Sequence, residues 1–164
     1  MSRTLLVSLL FASACVVNND PGGDDAPPPV LELTPRIGTW YYAETTPVSN
    51  NCGYHVDGSA GDFVIDQATS TSFHVDPTDS TAPFTCTLSS NGAYECPDRA
   101  SDTSDLHPSL DAVITVHAIA SGTFSTDTRA TGRQTATVDC TGSSCRQLGA
   151  WPCTFKVDYQ IAAR

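Results

Sequence analysis

The chain has 164 residues, a length that fits one domain with short terminal extensions. Eighteen acidic residues against eight Lys and Arg give a formal net charge of −10 at pH 7. Nucleic acids and anionic membrane surfaces are bound through clustered basic residues, so this charge argues against both as direct partners of the protein surface.

Residues 1–14 have the order of a secretory signal peptide. Arg3 precedes an apolar run from Leu5 to Ala12, and small residues then lead to Cys15. The run is much shorter than the roughly 20 apolar residues that a transmembrane helix needs. We therefore expect an exported protein, with residues 1–14 removed.

The segment Ala12-Ser13-Ala14-Cys15 resembles the lipobox of bacterial lipoproteins, in which cleavage precedes a cysteine whose sulfur carries diacylglycerol. Position 12 departs from the usual Leu. The resemblance implies a diacylglyceryl cysteine at Cys15, acylated further with palmitate. Because Val16 and not Asp follows, it also implies the outer membrane if the source is Gram-negative. Ordinary secretion with cleavage near Ala14 is the alternative.

The number of cysteines agrees with an acylated Cys15. Removing it from seven leaves an even set of six, which suits three disulfides in an oxidising compartment. Residues 16–29, VVNNDPGGDDAPPP, have too little apolar surface to offset the entropy of ordering. We expect residues 15–29 to be a lipid-anchored cysteine with a disordered tether, and residues 30–164 to be the folded domain.

The dominant hydrophobic period of residues 30–164 is two, which indicates half-buried strands. The pattern predicts about nine strands, separated by turns such as Asn91-Gly92, Ser121-Gly122 and Thr131-Gly132. Residues 97–111 are expected to be a loop, with at most one helical turn near Ser109. The strand candidates are Ile37–Glu44, Asp62–Asp66, Ser72–Val75, Pro83–Leu88, Ala93–Cys96, Ala112–Ala120, Thr123–Thr128, Arg133–Cys140 and Cys153–Ala163.

Sequential strands joined by hairpins predict an all-β fold with a single antiparallel meander. We favour a small β-barrel over a two-sheet sandwich because closure removes the edge strands. An interior filled by its aromatic side chains would leave no room for a ligand. The aromatic residues expected inside are Trp40, Phe63, Phe73, Phe124, Phe155 and Tyr159.

The hairpin around Asn91-Gly92 predicts the first disulfide. A three-residue loop over 90–92 with Gly92 left-handed places Cys86 opposite Cys96. A two-residue loop would place Cys86 opposite Pro97 instead. The turn-like sequence between Cys140 and Cys145 favours a local bridge there, and Cys52–Cys153 remains. Six cysteines allow fifteen pairings, so this set is a hypothesis.

No motif predicts a metal or catalytic site. The histidines at 55, 74, 107 and 117 lack metal-ligand spacing, and there is no Gly-x-Ser-x-Gly or Ser-x-x-Lys. The acidic loops Asp57–Asp62, Asp76–Asp79 and Asp98–Asp105 offer oxygen ligands for weak calcium binding, but ordinary solvated turns are favoured. We expect no cofactor apart from the lipid and no enzymatic activity.

Gly38-Thr39-Trp40 resembles the Gly-x-Trp that opens the first barrel strand in lipocalins. The resemblance implies a barrel that carries a small apolar ligand, whereas a core tryptophan behind a turn glycine is the alternative. The leading hypothesis is a non-enzymatic binding or interaction module of the cell envelope. It would contact the membrane only through its lipid and bind an unknown protein or small molecule. A lipocalin-like carrier and a secreted hydrolase or inhibitor are the alternatives.

Overall fold

The computed structural model describes residues 33–52, 58–79 and 81–164. The predicted signal peptide, Cys15, the predicted tether and His55 lie outside these residues. Eight strands and one short helix, α1 (Cys145–Leu148), make up the described fold. The strands are β1 (Gly38–Asn50), β2 (Ala60–Ala68), β3 (Ser72–Pro77), β4 (Phe84–Leu88), β5 (Ala93–Asp105), β6 (Val113–Thr126), β7 (Arg129–Thr141) and β8 (Cys153–Ala163).

The strands form a closed barrel in which every strand is antiparallel to the next. Closure is made by β1, which pairs with β2 along Gly38–Ala43 and with β8 along Trp40–Asn50. The predicted all-β meander and the preference for a barrel over a sandwich are therefore confirmed. Among the described residues, no helix has the length and apolar character needed to cross a membrane.

The two ends of the barrel differ. At the end that carries the β2–β3, β4–β5 and β6–β7 turns, the interior is packed with buried side chains that include Trp40, Leu88, Phe124 and Ala130. We call this the closed end. At the opposite end, the open end, Leu106 and Trp151 pack on a second buried cluster over β6–β8. Strands β2–β4 have 9, 6 and 5 residues against 11 to 14 in the others, so the wall is lower on that side.

Two predicted turns are wrong. Ser121-Gly122 lies inside β6 and Thr131-Gly132 inside β7, and Gly122 is paired directly with Gly132. The expected strand Thr123–Thr128 is therefore the continuation of β6, and the hairpin turns at Asp127-Thr128, without a glycine. The described residues form eight strands and not about nine, because glycines that tertiary packing requires inside strands have the local sequence pattern of turns.

The expected loop over 97–111 is also partly wrong, since β5 continues to Asp105. Two bulges interrupt its pairing with β6, one between Cys96 and Arg99 and one between Ala100 and Asp102. Pro97 lies in the first bulge, where the absence of a backbone N–H is tolerated. The strand continues past Pro97 because the residues in the bulge make no regular backbone hydrogen bonds to β6.

Three disulfides connect the wall: Cys52–Cys153, Cys86–Cys96 and Cys140–Cys145. These are the three pairs expected from the sequence. Leu88 is opposite Tyr94 and Gly92 has φ of 82°, as the three-residue loop requires. Cys52–Cys153 joins the segment after β1 to the start of β8 at the open end, across 101 residues of sequence.

Candidate functional site

The barrel encloses a cavity of about 1020 Å³. This volume is at the upper end of the roughly 300–1,000 Å³ typical of small-molecule sites. Exposed rim residues at the low side of the open end include Ser59, Asp79 and Asp102, so the cavity communicates with solvent there. Its apolar lining includes Phe63, Phe73, Val75, Phe84, Val116 and Phe155, and its polar lining includes Tyr42, Tyr94, Arg99, Gln134 and Tyr159.

Of the aromatic residues expected inside the barrel, five pack in or against the cluster at the closed end, whereas Phe155 belongs to the second cluster. Trp40 is fully buried, and its ring meets that of Phe124 edge-on with centroids 5.9 Å apart. Phe73 packs edge-on against Phe124 at 5.4 Å and presents its other side to the cavity. Phe155 and Tyr159 also line the cavity. The interior is therefore a packed aromatic floor with open space above it.

Tyr94 and Tyr159 both line the cavity, and their hydroxyl groups are hydrogen-bonded to each other. The hydroxyl oxygens of Tyr94 and Tyr159 lie 2.7 Å apart, and both side chains are at least 95 % buried, with exposures of 3 % and 5 %. Two hydroxyls carry two protons, and one proton occupies the bond between them. The other O–H remains available as a donor. Burial raises the pKa of Tyr94 well above the usual value near 10 and also raises the pKa of Tyr159, so both phenols are neutral at neutral pH.

The paired glycines Gly122 and Gly132 create the space for these tyrosines. A methyl group on Gly122 would lie 2.5 Å from the Tyr94 hydroxyl, and one on Gly132 would lie 2.6 Å from the Tyr159 hydroxyl. Both distances are far below van der Waals contact. The two glycines are therefore required by side chains from other strands, which explains why they occur inside strands.

Tyr42 and Glu44 continue the polar lining towards the rim. The Tyr42 hydroxyl donates to Glu44 Oε1 at 3.4 Å, and Glu44 Oε2 accepts from the backbone N–H groups of Gly58 and Ser59 at 3.0 and 3.1 Å. Burial raises the pKa of Tyr42, and the adjacent Glu44 carboxylate raises it further. Glu44 thus fastens the β1–β2 connection at the cavity rim.

Arg99 points inward because of the first β5 bulge. Strict alternation after Tyr94 and Cys96 would place Asp98 on the interior face. The extra residue shifts the phase, so that Arg99 pairs with the fully buried Ala118. Asp98 is exposed instead, with its Oδ1 3.6 Å from Nδ1 of His117 on the outer face. Because of the bulge, the side chain on the interior face is the basic Arg99 and not the acidic Asp98.

The Arg99 guanidinium lies over the Phe84 ring at 4.1 Å from its centroid. Its Nη1 donates to the Ala118 carbonyl at 3.2 Å, whereas its Nε is inaccessible to solvent and has no hydrogen-bond partner among the described residues. Burial lowers the pKa of Arg99, but arginine remains protonated at neutral pH. The cavity wall thus carries the positive charge of a half-buried arginine.

The histidines that the structure describes do not line the cavity. His74 is half-buried, with its Nδ1 2.6 Å from Asp66 Oδ1, so it is not simply a solvated histidine. His107 lies between Asp105 and Asp111 at 2.6 and 3.1 Å, and Asp111 accepts from Ser143 Oγ at 2.6 Å. Ser143 contacts the carboxylate and not the imidazole, so this cluster lacks the serine–histidine contact of a nucleophilic triad.

The acidic loops considered for calcium are largely engaged in structural contacts. Asp79 accepts from the Thr81 N–H at 2.7 Å, and Asp105 accepts from the His107 N–H at 3.0 Å. Asp62 pairs with Arg164 at 3.0 Å. Within residues 33–52, 58–79 and 81–164, no group of three or more His, Cys, Asp or Glu side chains is arranged to hold a metal ion.

Sequence reasoning missed the polar residues of the cavity. Arg99 lies in a stretch expected to be an acidic loop, and Tyr42 and Tyr94 were considered only as strand residues. The one local signal was Pro97, since a proline inside a strand pattern indicates a bulge and hence a change of face. No family model matches the chain, and no curated protein or solved structure matches it either.

Proposed function

We propose that this chain is an extracytoplasmic lipoprotein, anchored through Cys15, whose barrel binds a small and largely apolar molecule. The observation that carries the proposal is the open cavity above the aromatic floor. Eight-stranded up-and-down barrels have an interior just wide enough to hold one small ligand, as in lipocalins and streptavidin. Trp40, in the Gly38-Thr39-Trp40 segment, is fully buried in the closed-end cluster and stacks on Phe63, which lines the cavity.

Binding is favoured over catalysis by the composition of the lining. Aromatic and aliphatic side chains line its inner part, while the lining towards the rim is largely polar and includes Glu44, Asp62, Asp79 and Asp102. A hydrolase needs a nucleophile next to a base, and the described histidines lie outside the cavity. A carrier or sensor of a small molecule at the cell envelope follows, with the tether holding the barrel close to the membrane.

A fluorescent probe tests the cavity. N-phenyl-1-naphthylamine, an uncharged aromatic molecule, is expected to bind the full chain saturably at one site with enhanced fluorescence. Ala120→Trp places an indole inside the cavity, while Ile119→Trp places the same indole on the outside of β6, where Ile119 is 49 % exposed. We expect Ala120→Trp to weaken probe binding roughly tenfold or more, and Ile119→Trp to leave it unchanged. Absence of saturable binding by the wild type, or equal binding by Ala120→Trp, would refute the cavity proposal.

Membrane anchoring is tested separately. Intact mass and fractionation of the expressed protein are compared with those of Cys15→Ser. We expect an acylated, membrane-associated wild type and an unacylated variant. A soluble, unacylated wild type would contradict the anchor while leaving the cavity proposal standing.

A further inference from the structure

We infer that the molecule bound in the barrel carries a carboxylate and that Arg99 recognises it. This inference rests on the proposed function and specifies its ligand class. A guanidinium presents five N–H donors in a planar fork that matches the two oxygens of a carboxylate. In this barrel the fork sits on the cavity wall, held by the β5 bulge and stacked on Phe84.

The first argument is the unused hydrogen-bonding capacity of Arg99. Its Nε is inaccessible to solvent and unpartnered among the described residues, although a buried donor without an acceptor is destabilising. Among the described residues, Nη1 donates to the Ala118 carbonyl at 3.2 Å. Arg99 lines the cavity, so an acceptor there would meet the guanidinium through its Nη groups, whereas the inaccessible Nε does not face the cavity.

The second argument is charge. Within the described part of the chain, Arg99 forms no ion pair, although four carboxylates line the cavity towards its rim. Asp62 pairs with Arg164, Asp79 accepts from Thr81, and Glu44 accepts from the Gly58 and Ser59 amides, whereas Asp102 is exposed at the rim. Asp98 is close enough to favour the charged form of Arg99. No carboxylate of the described residues forms an ion pair with the guanidinium, so an anion in the cavity would be electrostatically complementary to it.

The third argument is the set of neighbouring donors. Tyr42 and Tyr159 are close enough to Arg99 for its charge to lower their pKa, which opposes the larger effect of burial. The Tyr42 O–H already donates to Glu44. Among the described residues, the Tyr94–Tyr159 pair leaves one O–H without an acceptor. Phe63, Phe73 and Phe155 supply the apolar remainder of the site. The arrangement fits a small organic acid with an aromatic or hydrophobic body.

The wild-type protein provides the primary test. N-phenyl-1-naphthylamine serves as the reporter, and 1-naphthoate and 1-naphthalenemethanol serve as competitors that share one ring system and differ in the carboxylate. We expect 1-naphthoate to displace the reporter at a concentration roughly 10- to 100-fold lower than the alcohol, the range expected for a hydrogen-bonded charge pair. Reporter binding with no preference for the acid would overturn the inference and leave the proposed function intact. No reporter binding would instead refute the proposed function.

Variants assign the preference to Arg99. Arg99→Met should reduce the acid-to-alcohol preference to about that of an uncharged site, and Arg99→Lys should retain part of it because the charge remains without the planar fork. Arg146→Met removes an exposed positive charge on α1 and should leave the preference unchanged. A preference that persists in both Arg99 variants, or that disappears equally in Arg146→Met, would show that Arg99 does not recognise the carboxylate. The wild-type comparison remains decisive if Arg99→Met does not fold.

Discussion

Gly132→Ala tests whether the interior glycines exist to accommodate the tyrosines. The new methyl carbon would lie 2.6 Å from Cζ and the hydroxyl oxygen of Tyr159 and 2.6 Å from the Ser121 carbonyl oxygen. Either Tyr159 or the β6–β7 backbone must move. Displacing Tyr159 also breaks its 2.7 Å hydrogen bond with Tyr94.

The expected cost combines three effects. Overpacking a close-packed interior costs about 1–3 kcal/mol, and loss of one hydrogen bond adds about 0.5–1.5 kcal/mol. Replacing glycine by alanine in a strand recovers roughly 0.5–1 kcal/mol through the unfolded chain. We therefore expect Gly132→Ala to lower the free energy of unfolding by about 0.5–4 kcal/mol.

Urea unfolding of the oxidised protein measures this change. Gly61→Ala is the matched control, because a methyl group on Gly61 in β2 would have no atom within 4 Å. The control should be neutral or stabilising by up to about 1 kcal/mol. Part of the loss should disappear when Gly132→Ala is made in a Tyr159→Leu background, where the ring is absent. Equal stability of Gly132→Ala and Gly61→Ala, or an unchanged loss in that background, would refute the role assigned to Gly132.

Two further predictions concern the disulfides and the loops at the open end. Replacing Cys52 and Cys153 by serine should lower the free energy of unfolding by about 4–5 kcal/mol, because the disulfide closes a loop of 101 residues. Replacing Cys140 and Cys145 should lower it by about 2 kcal/mol, because these cysteines are 5 residues apart in the sequence and the short loop restricts the unfolded chain less. Urea unfolding that gave the reverse order would contradict this prediction. Hydrogen bonds from Ser143 and then His107 lower the pKa of Asp111 from 3.8 to about 2, so the stability that Asp111 contributes should be present above pH 4 and be lost between pH 4 and pH 2. The pKa of His107 is raised above 6.5 by Asp105 and then Asp111. The stability that His107 contributes should therefore be complete below pH 6.5 and be lost as the pH rises through the raised pKa. NMR titration of His107 should show its pKa falling in both Asp105→Asn and Asp111→Asn, and an unchanged value in both would be inconsistent with these contacts.

The strand content and the meander were predictable because each strand buries one face. Cys153, Phe155, Val157, Tyr159 and Ile161 alternate with polar residues, and all five are buried in β8. A period of two survives any arrangement in which one face meets the core, so it indicates strands without knowledge of their neighbours. The pairing in the Asn91-Gly92 hairpin was also predictable from local sequence, since the length of its loop determines that Leu88 pairs with Tyr94.

The site was not predictable in this way, because two of its features depend on residues far apart in sequence. Gly122 and Gly132 have the local character of turn residues, and their close contacts with the tyrosine rings and with the facing backbone carbonyls explain them as strand residues. The inward position of Arg99 depends on a bulge that changes the phase of β5 relative to β6. Neither a packing requirement between distant residues nor a register shift can be read from the hydrophobic periodicity of the sequence.

By itself, the sequence determined the fold class, the disulfide-compatible cysteine set and the expectation of a lipid anchor, because these depend on local pattern, count and motif. The tertiary structure alone decided that the barrel is open above its aromatic floor and that Arg99 lies on the cavity wall in place of Asp98. The physical reason is that a cavity is the volume left after side chains from all eight strands have packed. That remainder depends on strand lengths, bulges and register taken together.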